Sequence, residues 1–263
     1  MRRYTFVLMA ILIPTTTVRA HDDVVPYANG GKVVTGGHDD VLGTDHIEQH
    51  VFGYDFGEDP LDPFIIGDPG FNNGSSFAVG VYPGDGLLPA NFTLGLNVVT
   101  DLQYWDGVGG VSLVPAPTGV ELGVRRGSST VFVTGSGQSG VVPTIGSTGA
   151  VGRLHVHVES LLAYTDGTSP AVPNAPDGIY LVGLRLTLPG SGLADSDPIY
   201  LLYNNNLDED LHDAAIDWTE NTLVPEPATG VLMLAGCVAL VAIGRRRFVR
   251  AAPPRDGSAG VNV

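Results

Sequence analysis

Glycine and proline decide what this chain can fold into. Its 263 residues include 36 Gly and 19 Pro, which cut an otherwise apolar sequence into short runs rich in Val, Ile, Leu, Phe and Tyr. Runs of that length bounded by Gly, Pro, Asn and Asp read as strands joined by turns. They are Lys32 to Thr35, Gln49 to Tyr54, Ser76 to Tyr82, Phe92 to Thr100, Val120 to Arg125, Thr130 to Thr134, Val151 to Tyr164, Gly178 to Leu188 and Pro198 to Tyr203. Phe92, Leu94, Leu96 and Val98 share one face of their strand, and Tyr180, Val182, Leu184, Leu186 and Leu188 share one face of theirs. Period-two faces of this kind mark a core. Strands with no helices between them predict a mainly-β domain over residues 21–223, an antiparallel β-sandwich or barrel.

Two stretches depart from this pattern. Gly135 to Gly149 reads as a long loop or a weak strand pair. Leu207 to Asn221 places Leu207, Leu211, Ala214, Ala215 and Trp218 at helical spacing. Asn206 stands three residues before Glu209 as an N-cap, so one amphipathic helix is expected to dock on the sheet.

The two ends supply an address. Met1-Arg2-Arg3, the apolar run Phe6 to Ile13 and the small-residue ending Val18-Arg19-Ala20 form a secretory signal peptide over residues 1–20. Cleavage after Ala20 makes His21 the mature N-terminus. Near the other end, Val224-Pro225-Glu226-Pro227 precedes an apolar helix expected over residues 228–244, and Arg245-Arg246-Arg247 follows it. The arginines should stay cytoplasmic and the passenger outside. This order over residues 224–250 resembles the PEP-CTERM sorting signal of exported bacterial proteins. The resemblance implies recognition in the inner membrane by an exosortase-type transpeptidase, then release or attachment at the cell surface or in the extracellular matrix. Residues 251–263 extend beyond the arginines as a cytoplasmic tail, longer than such signals usually carry.

Charge and cysteine usage narrow the partners. Lys and Arg total 13 against 28 Asp and Glu, and between residues 21 and 227 the only cations are Lys32, Arg125, Arg126, Arg153 and Arg185. Nucleic acid is therefore excluded as an expected partner, because binding it requires a basic surface. The lone cysteine, Cys237, lies in the apolar helix and permits neither an intramolecular disulfide nor a cysteine nucleophile. Gly135-Ser136-Gly137-Gln138-Ser139-Gly140 matches a dinucleotide-binding glycine pattern, but Val141-Val142-Pro143 follows where the phosphate-binding helix should begin.

What remains is metal chemistry. His155, His157 and Glu159 alternate along one expected strand, so two imidazoles and a carboxylate share a face and suit zinc or copper. A second cluster holds His38, His46 and His50 with Asp39, Asp40, Asp45 and Glu48. His21 would offer copper both its amine and its ring. The turn-rich acidic segment Asp55, Glu58, Asp59, Asp62 and Asp68 suits calcium. The expected function is a non-enzymatic surface or matrix protein that binds a divalent metal. The alternatives are a metal-dependent secreted hydrolase or copper oxygenase, and a carbohydrate-binding, adhesive or ice-binding protein retained on extracellular polysaccharide through aromatics such as Tyr104, Trp105, Tyr180, Tyr200, Tyr203 and Trp218.

Overall fold

Asn29-Gly30-Gly31-Lys32 makes a tight hairpin because both glycines take positive φ, 59° and 77°, the backbone that a two-residue turn needs to match strand twist. In the computed structural model, which describes residues 22–39, 44–74, 86–164 and 175–224, this turn joins β1 (Asp22–Asn29) to β2 (Lys32–Asp39) in register from Asp22↔Asp39 to Asn29↔Lys32. Of the recurring His-Asp-Asp-Val segments, Asp22-Asp23 and His38-Asp39 therefore pair antiparallel at the open end of this hairpin. Residues 1–21, the expected strand Ser76 to Tyr82 and residues 225–263 lie outside the described residues. No helix among the described residues is long and apolar enough to cross a membrane.

The chain continues through β3 (Thr44–His46), β4 (Val51–Asp55), β5 (Ile65–Ile66), β6 (Gly70–Asn72), β7 (Thr93–Val98), β8 (Gln103–Trp105) and β9 (Val114–Pro115). Then come β10 (Val120–Arg126), β11 (Ser129–Thr134), β12 (Gly137–Gly140), β13 (Thr144–Ser147), β14 (His155–His157), β15 (Glu159–Tyr164), β16 (Gly178–Thr187), β17 (Ile199–Asn205) and the helix α1 (Glu209–Leu223). The protein is mainly β, as its punctuation predicts. Among the described residues three sheets form, ordered β14-β6-β1-β2-β3, β12-β11-β10-β15-β5 and β13-β7-β16-β17-β4, with β8 and β9 extending the third beside β16. Pairing is mostly antiparallel, but β1–β6 and β17–β4 are parallel.

Three sequence expectations need correction. Val151 to Tyr164 is not one strand: Val158 is fully buried, and the chain changes sheets there, leaving β14 and β15 in different sheets. Gly135 to Gly149 does contain two strands, but β12 pairs with β11 and β13 with β7, so they do not pair with each other. Asn206 is not the helix cap, because its φ of 65° places it in a tight turn. Asp208 takes the cap position, its carbonyl accepting from the Leu211 and His212 amides at 2.9 and 3.3 Å.

Strand β16 is buried on both faces. Tyr180, Val182, Leu184 and Leu186 enter the main core, as their alternation requires, while Ile179 and Leu181 are equally sealed on the other side. The helix covers that second face. Leu181 pairs with Leu202, and Leu202 with Gly53; a Cβ on Gly53 would stand 2.6 Å from Ile216 and 3.0 Å from the His212 ring. The helix buries His212, Ala215, Ile216 and Thr219, a stripe rotated by about one residue from the one its Leu and Ala spacing predicts.

Two buried tyrosines tie the sheets together. Tyr54 on β4 and Tyr203 on β17 have ring centroids 5.7 Å apart, and Phe56 stacks on Tyr203 at 5.5 Å. The Tyr54 hydroxyl donates to the Asp22 carbonyl of the first sheet at 3.0 Å. Ser160 of the second sheet donates its single hydroxyl hydrogen to the Asp68 carbonyl, so Tyr203 donates to Ser160 Oγ at 2.8 Å. Burial above all, then the neighbouring Tyr203 and the carboxylates of Asp68, Asp23 and Asp22, push the Tyr54 phenol well above its ordinary value; burial raises Tyr203 as well.

A raised folded-state pKa contributes stability that is intact below the unfolded value near 10 and is lost as pH climbs beyond it. Alkaline unfolding should therefore coincide with ionisation of buried tyrosine. Tyr54→Phe should cost about 1–3 kcal/mol at neutral pH by removing the buried hydroxyl bond to the Asp22 carbonyl and should make the alkaline decline shallower. Denaturant melts from pH 8 to 11 check this; an unchanged slope would contradict it.

Candidate metal centre at a sheet crossover

Two chain segments change sheets at the same place. Residues 70–72 pair with 155–157 in the first sheet, and residues 65–66 pair with 160–161 in the second. Between these registers Val158 and Glu159 lie opposite Gly67, Asp68 and Pro69, so one residue is in excess and the strand bends, as at a bulge. Val158 donates to the Pro69 carbonyl at 3.2 Å, and the crossing stays hydrogen-bonded.

His155 and His157 stand at this bend, exposed and on one side of β14. Their Nε2 atoms are 3.2 Å apart and their rings 5.3 Å. His157 Nδ1 lies 3.0 Å from the Gly67 carbonyl. A carbonyl only accepts, so Nδ1 carries the proton and the neutral ring turns its Nε2 lone pair toward His155. Asp68 adds a carboxylate 3.7 Å from Nδ1. Oxygens of Asp23 and Asp68 and a ring nitrogen of His157 all fall within 4.8 Å of one another.

Asp23 is buried, yet its carboxylate is accommodated. Asn72 donates to Oδ2 at 3.1 Å, and a Cβ at Gly70 would sit 1.8 Å from Oδ1; only glycine leaves that space. The loop before β14 is pinned by Asn73, whose Oδ1 accepts from the Leu154 amide at 2.7 Å and whose Nδ2 donates to the Gly152 carbonyl at 3.1 Å.

Glu159 belongs elsewhere. It begins β15 in the second sheet and accepts from Arg125 Nε at 2.7 Å, while Arg126 donates to the His157 carbonyl at 2.8 Å. Its carboxylate is thus drawn to a guanidinium rather than held beside the imidazoles. Sequence spacing puts it on the histidine face; the sheet change supplies it with a different partner. Asp23 and Asp68 take its place near His157, and neither is adjacent to the histidines in sequence.

Part of the second expected cluster is described, and Asp40 lies outside the described residues. His38 Nδ1 meets Asp45 Oδ1 at 2.8 Å across the β2–β3 pair, but His46 and His50 join them in no three-ligand group among the described residues. His50 instead faces the Pro198 carbonyl at 3.2 Å. His21 lies outside the described residues. In the acidic segment, Asp59 serves its own turn by accepting from the Leu61 amide at 2.8 Å. Its two end carboxylates separate: Asp68 reaches His157, and Asp55 reaches the helix. Of the candidate stacking aromatics, Trp105, Tyr180 and Tyr203 are buried in the fold.

No protein-family model, curated protein or solved structure matches the chain. Its chemistry must be argued from this geometry. Zinc–nitrogen bonds of about 2.0 Å in a tetrahedral arrangement hold neighbouring ligand atoms about 3.3 Å apart, close to the Nε2 separation of the pair. A carbonyl and carboxylates behind the proton-bearing nitrogen of a ligating imidazole are the arrangement that fixes its tautomer and raises its basicity.

The pinning of β14 can be checked independently of metal. Asn73→Ala leaves a buried amide and a buried carbonyl without partners, and about 2 kcal/mol or more of stability should be lost. Equilibrium urea unfolding measures it; a loss below about 0.5 kcal/mol would mean that Asn73 does not hold the loop.

Proposed function

We propose that this is an exported, non-enzymatic cell-surface or matrix protein, a sandwich-like β passenger that binds a divalent transition metal through His155 and His157. The observation that carries the metal reading is the 3.2 Å Nε2 pair with His157 Nδ1 committed to the Gly67 carbonyl. Zinc or copper suits two imidazoles, whereas calcium prefers an all-oxygen shell. The export reading is supported by the charged and apolar leader over residues 1–20, and the sorting reading by Val224-Pro225-Glu226-Pro227, the apolar segment 228–244 and Arg245-Arg246-Arg247. An exosortase-type transpeptidase is the proposed processing partner and extracellular polysaccharide the proposed surrounding polymer.

Exposure of both imidazoles favours binding over turnover. A cation held by two side chains keeps positions open to water or to donor groups of a polymer. Metal catalysis gains much of its strength from a dry, shaped cavity, and an open strand surface offers little of that. Asp23 and Asp68 act from behind His157: they favour the cation electrostatically and keep the imidazole aimed. Because imidazole must be unprotonated to coordinate, affinity should fall in acid.

The test is zinc titration of the full chain, exported by its own leader and purified without a polyhistidine tag or chelator. His155→Ala should weaken binding at this site tenfold or more, and Asp68→Asn should weaken it less. Glu159→Gln should leave it unchanged. Zinc affinity indifferent to His155→Ala would move the site to the Asp23–Asp68–His157 side or remove it.

A further inference from the structure

A second group of ligand-type side chains forms where α1 begins. Asp55 ends β4, Glu209 opens the helix, and His212 lies one turn further on. Oxygens of the two carboxylates and a nitrogen of the imidazole fall within 4.8 Å of one another. Glu209 is exposed, Asp55 half-buried, and His212 fully buried at 0% exposure.

His212 is the informative member. Neither of its ring nitrogens makes a hydrogen bond, an expensive condition for a buried polar group. Its Nδ1 points at Asp55 Oδ1 across 3.4 Å, too far for a good hydrogen bond. That distance instead matches the edge of about 3.3–3.6 Å between tetrahedral ligands on bonds of about 2.0–2.2 Å. The ring is placed by an absence: Gly53 has no Cβ, and one built there would meet His212 Cε1 and Nε2 at 3.0 Å. The imidazole thus lies against β4 with Nδ1 toward Asp55, and a cation bound between them would take the Nδ1 lone pair and leave the ring proton on Nε2.

The carboxylate opposite is oriented too. Asn204 Nδ2 donates to Asp55 Oδ1 at 2.8 Å and to the Leu207 carbonyl at 3.0 Å, while Asn204 Oδ1 accepts from the Leu207 amide at 3.0 Å. One asparagine thereby fixes both the acid and the turn leading into the helix, in the way outer groups steady a ligand. A helix N-terminus by itself repels cations. Here Asp208 at the cap, Glu209 and Asp210 in the first turn and Asp213 just beyond it oppose that repulsion with negative charge.

We propose that Asp55, Glu209 and His212 form a second divalent-metal site, of zinc type, that clamps the first turn of α1 to the end of β4. One imidazole with two carboxylates is a donor set suited to zinc. The site stands on its own residues and does not depend on binding at His155 and His157. Its role is structural: the bound ion joins an exposed helical acid to a strand end through a buried ring, and stabilises the docked helix by mass action.

The test separates the two sites. In the full chain carrying His155→Ala and His157→Ala, zinc titration should still find one equivalent bound, and zinc should still raise the melting temperature. Adding Glu209→Gln, a change at an exposed position, should weaken that remaining zinc tenfold or more and shrink the thermal shift. Adding His212→Asn should abolish it. Absence of any bound zinc in the double variant overturns the second site, and so does a remaining zinc whose affinity Glu209→Gln leaves unchanged. Loss of zinc with Glu209→Gln while His155 and His157 are intact, down to one equivalent, would support both sites together.

Discussion

The structure depends on a polar contact inside its core. Tyr54 and Tyr203 lie side by side between the sheets, and each sends its hydroxyl across to a different one, Tyr54 to the Asp22 carbonyl and Tyr203 to Ser160. Apolar packing alone would let three short-stranded sheets slide, because area burial is not directional. Two phenols whose partners are single backbone or hydroxyl oxygens set the relative position of the sheets, and leaving either unmade inside the core is costly. Through Ser160 the same chain of bonds reaches the Asp68 carbonyl, so the core and the exposed candidate metal centre share one polar thread.

That thread ends where the chain crosses between sheets. Val158 must be buried and Glu159 must start the second sheet, which leaves His155 and His157 at the last exposed positions of the first. The opposite segment, Gly67 to Pro69, crosses with them and brings a carbonyl and a carboxylate behind His157. The site is therefore a by-product of topology: the bend that lets two sheets share a pair of segments also aims two imidazoles at one point. At its other end the same acidic segment delivers Asp55 to the helix, so residues 55–68 connect both candidate metal centres.

Much of this was legible in the sequence, and the failures have physical reasons. Alternation in Phe92 to Thr100 and Gly178 to Leu188 marked core strands because one face of each is sealed by apolar neighbours. Strand β1 carried no such mark: it opens with Asp22 and Asp23, both buried, and their burial depends on Gln49 and Asn72 amides from distant segments. The Asn29-Gly30-Gly31 turn was the available signal for that hairpin. His155 and His157 could be paired from their spacing, but Glu159 could not be separated from them, because the sheet change at Val158 leaves no local signature. His212 opens the buried helical stripe, with Ala215, Ile216 and Thr219 at i+3, i+4 and i+7, yet its polarity hides it behind the Leu and Ala positions. Asp23 and Asp68 lie far from His157 in sequence and meet it only through the parallel β1–β6 pair and the crossover.

The central claim is that the two strand imidazoles share a metal ion. X-ray absorption at the zinc edge tests it most directly, on the full chain loaded with one equivalent of zinc and carrying Glu209→Gln so that the helix site does not compete. The account predicts a first shell near 2.0 Å with outer-shell scattering from two imidazole rings, reduced to one or none by His155→Ala. A first shell of oxygen alone, or imidazole scattering unchanged by His155→Ala, would contradict it.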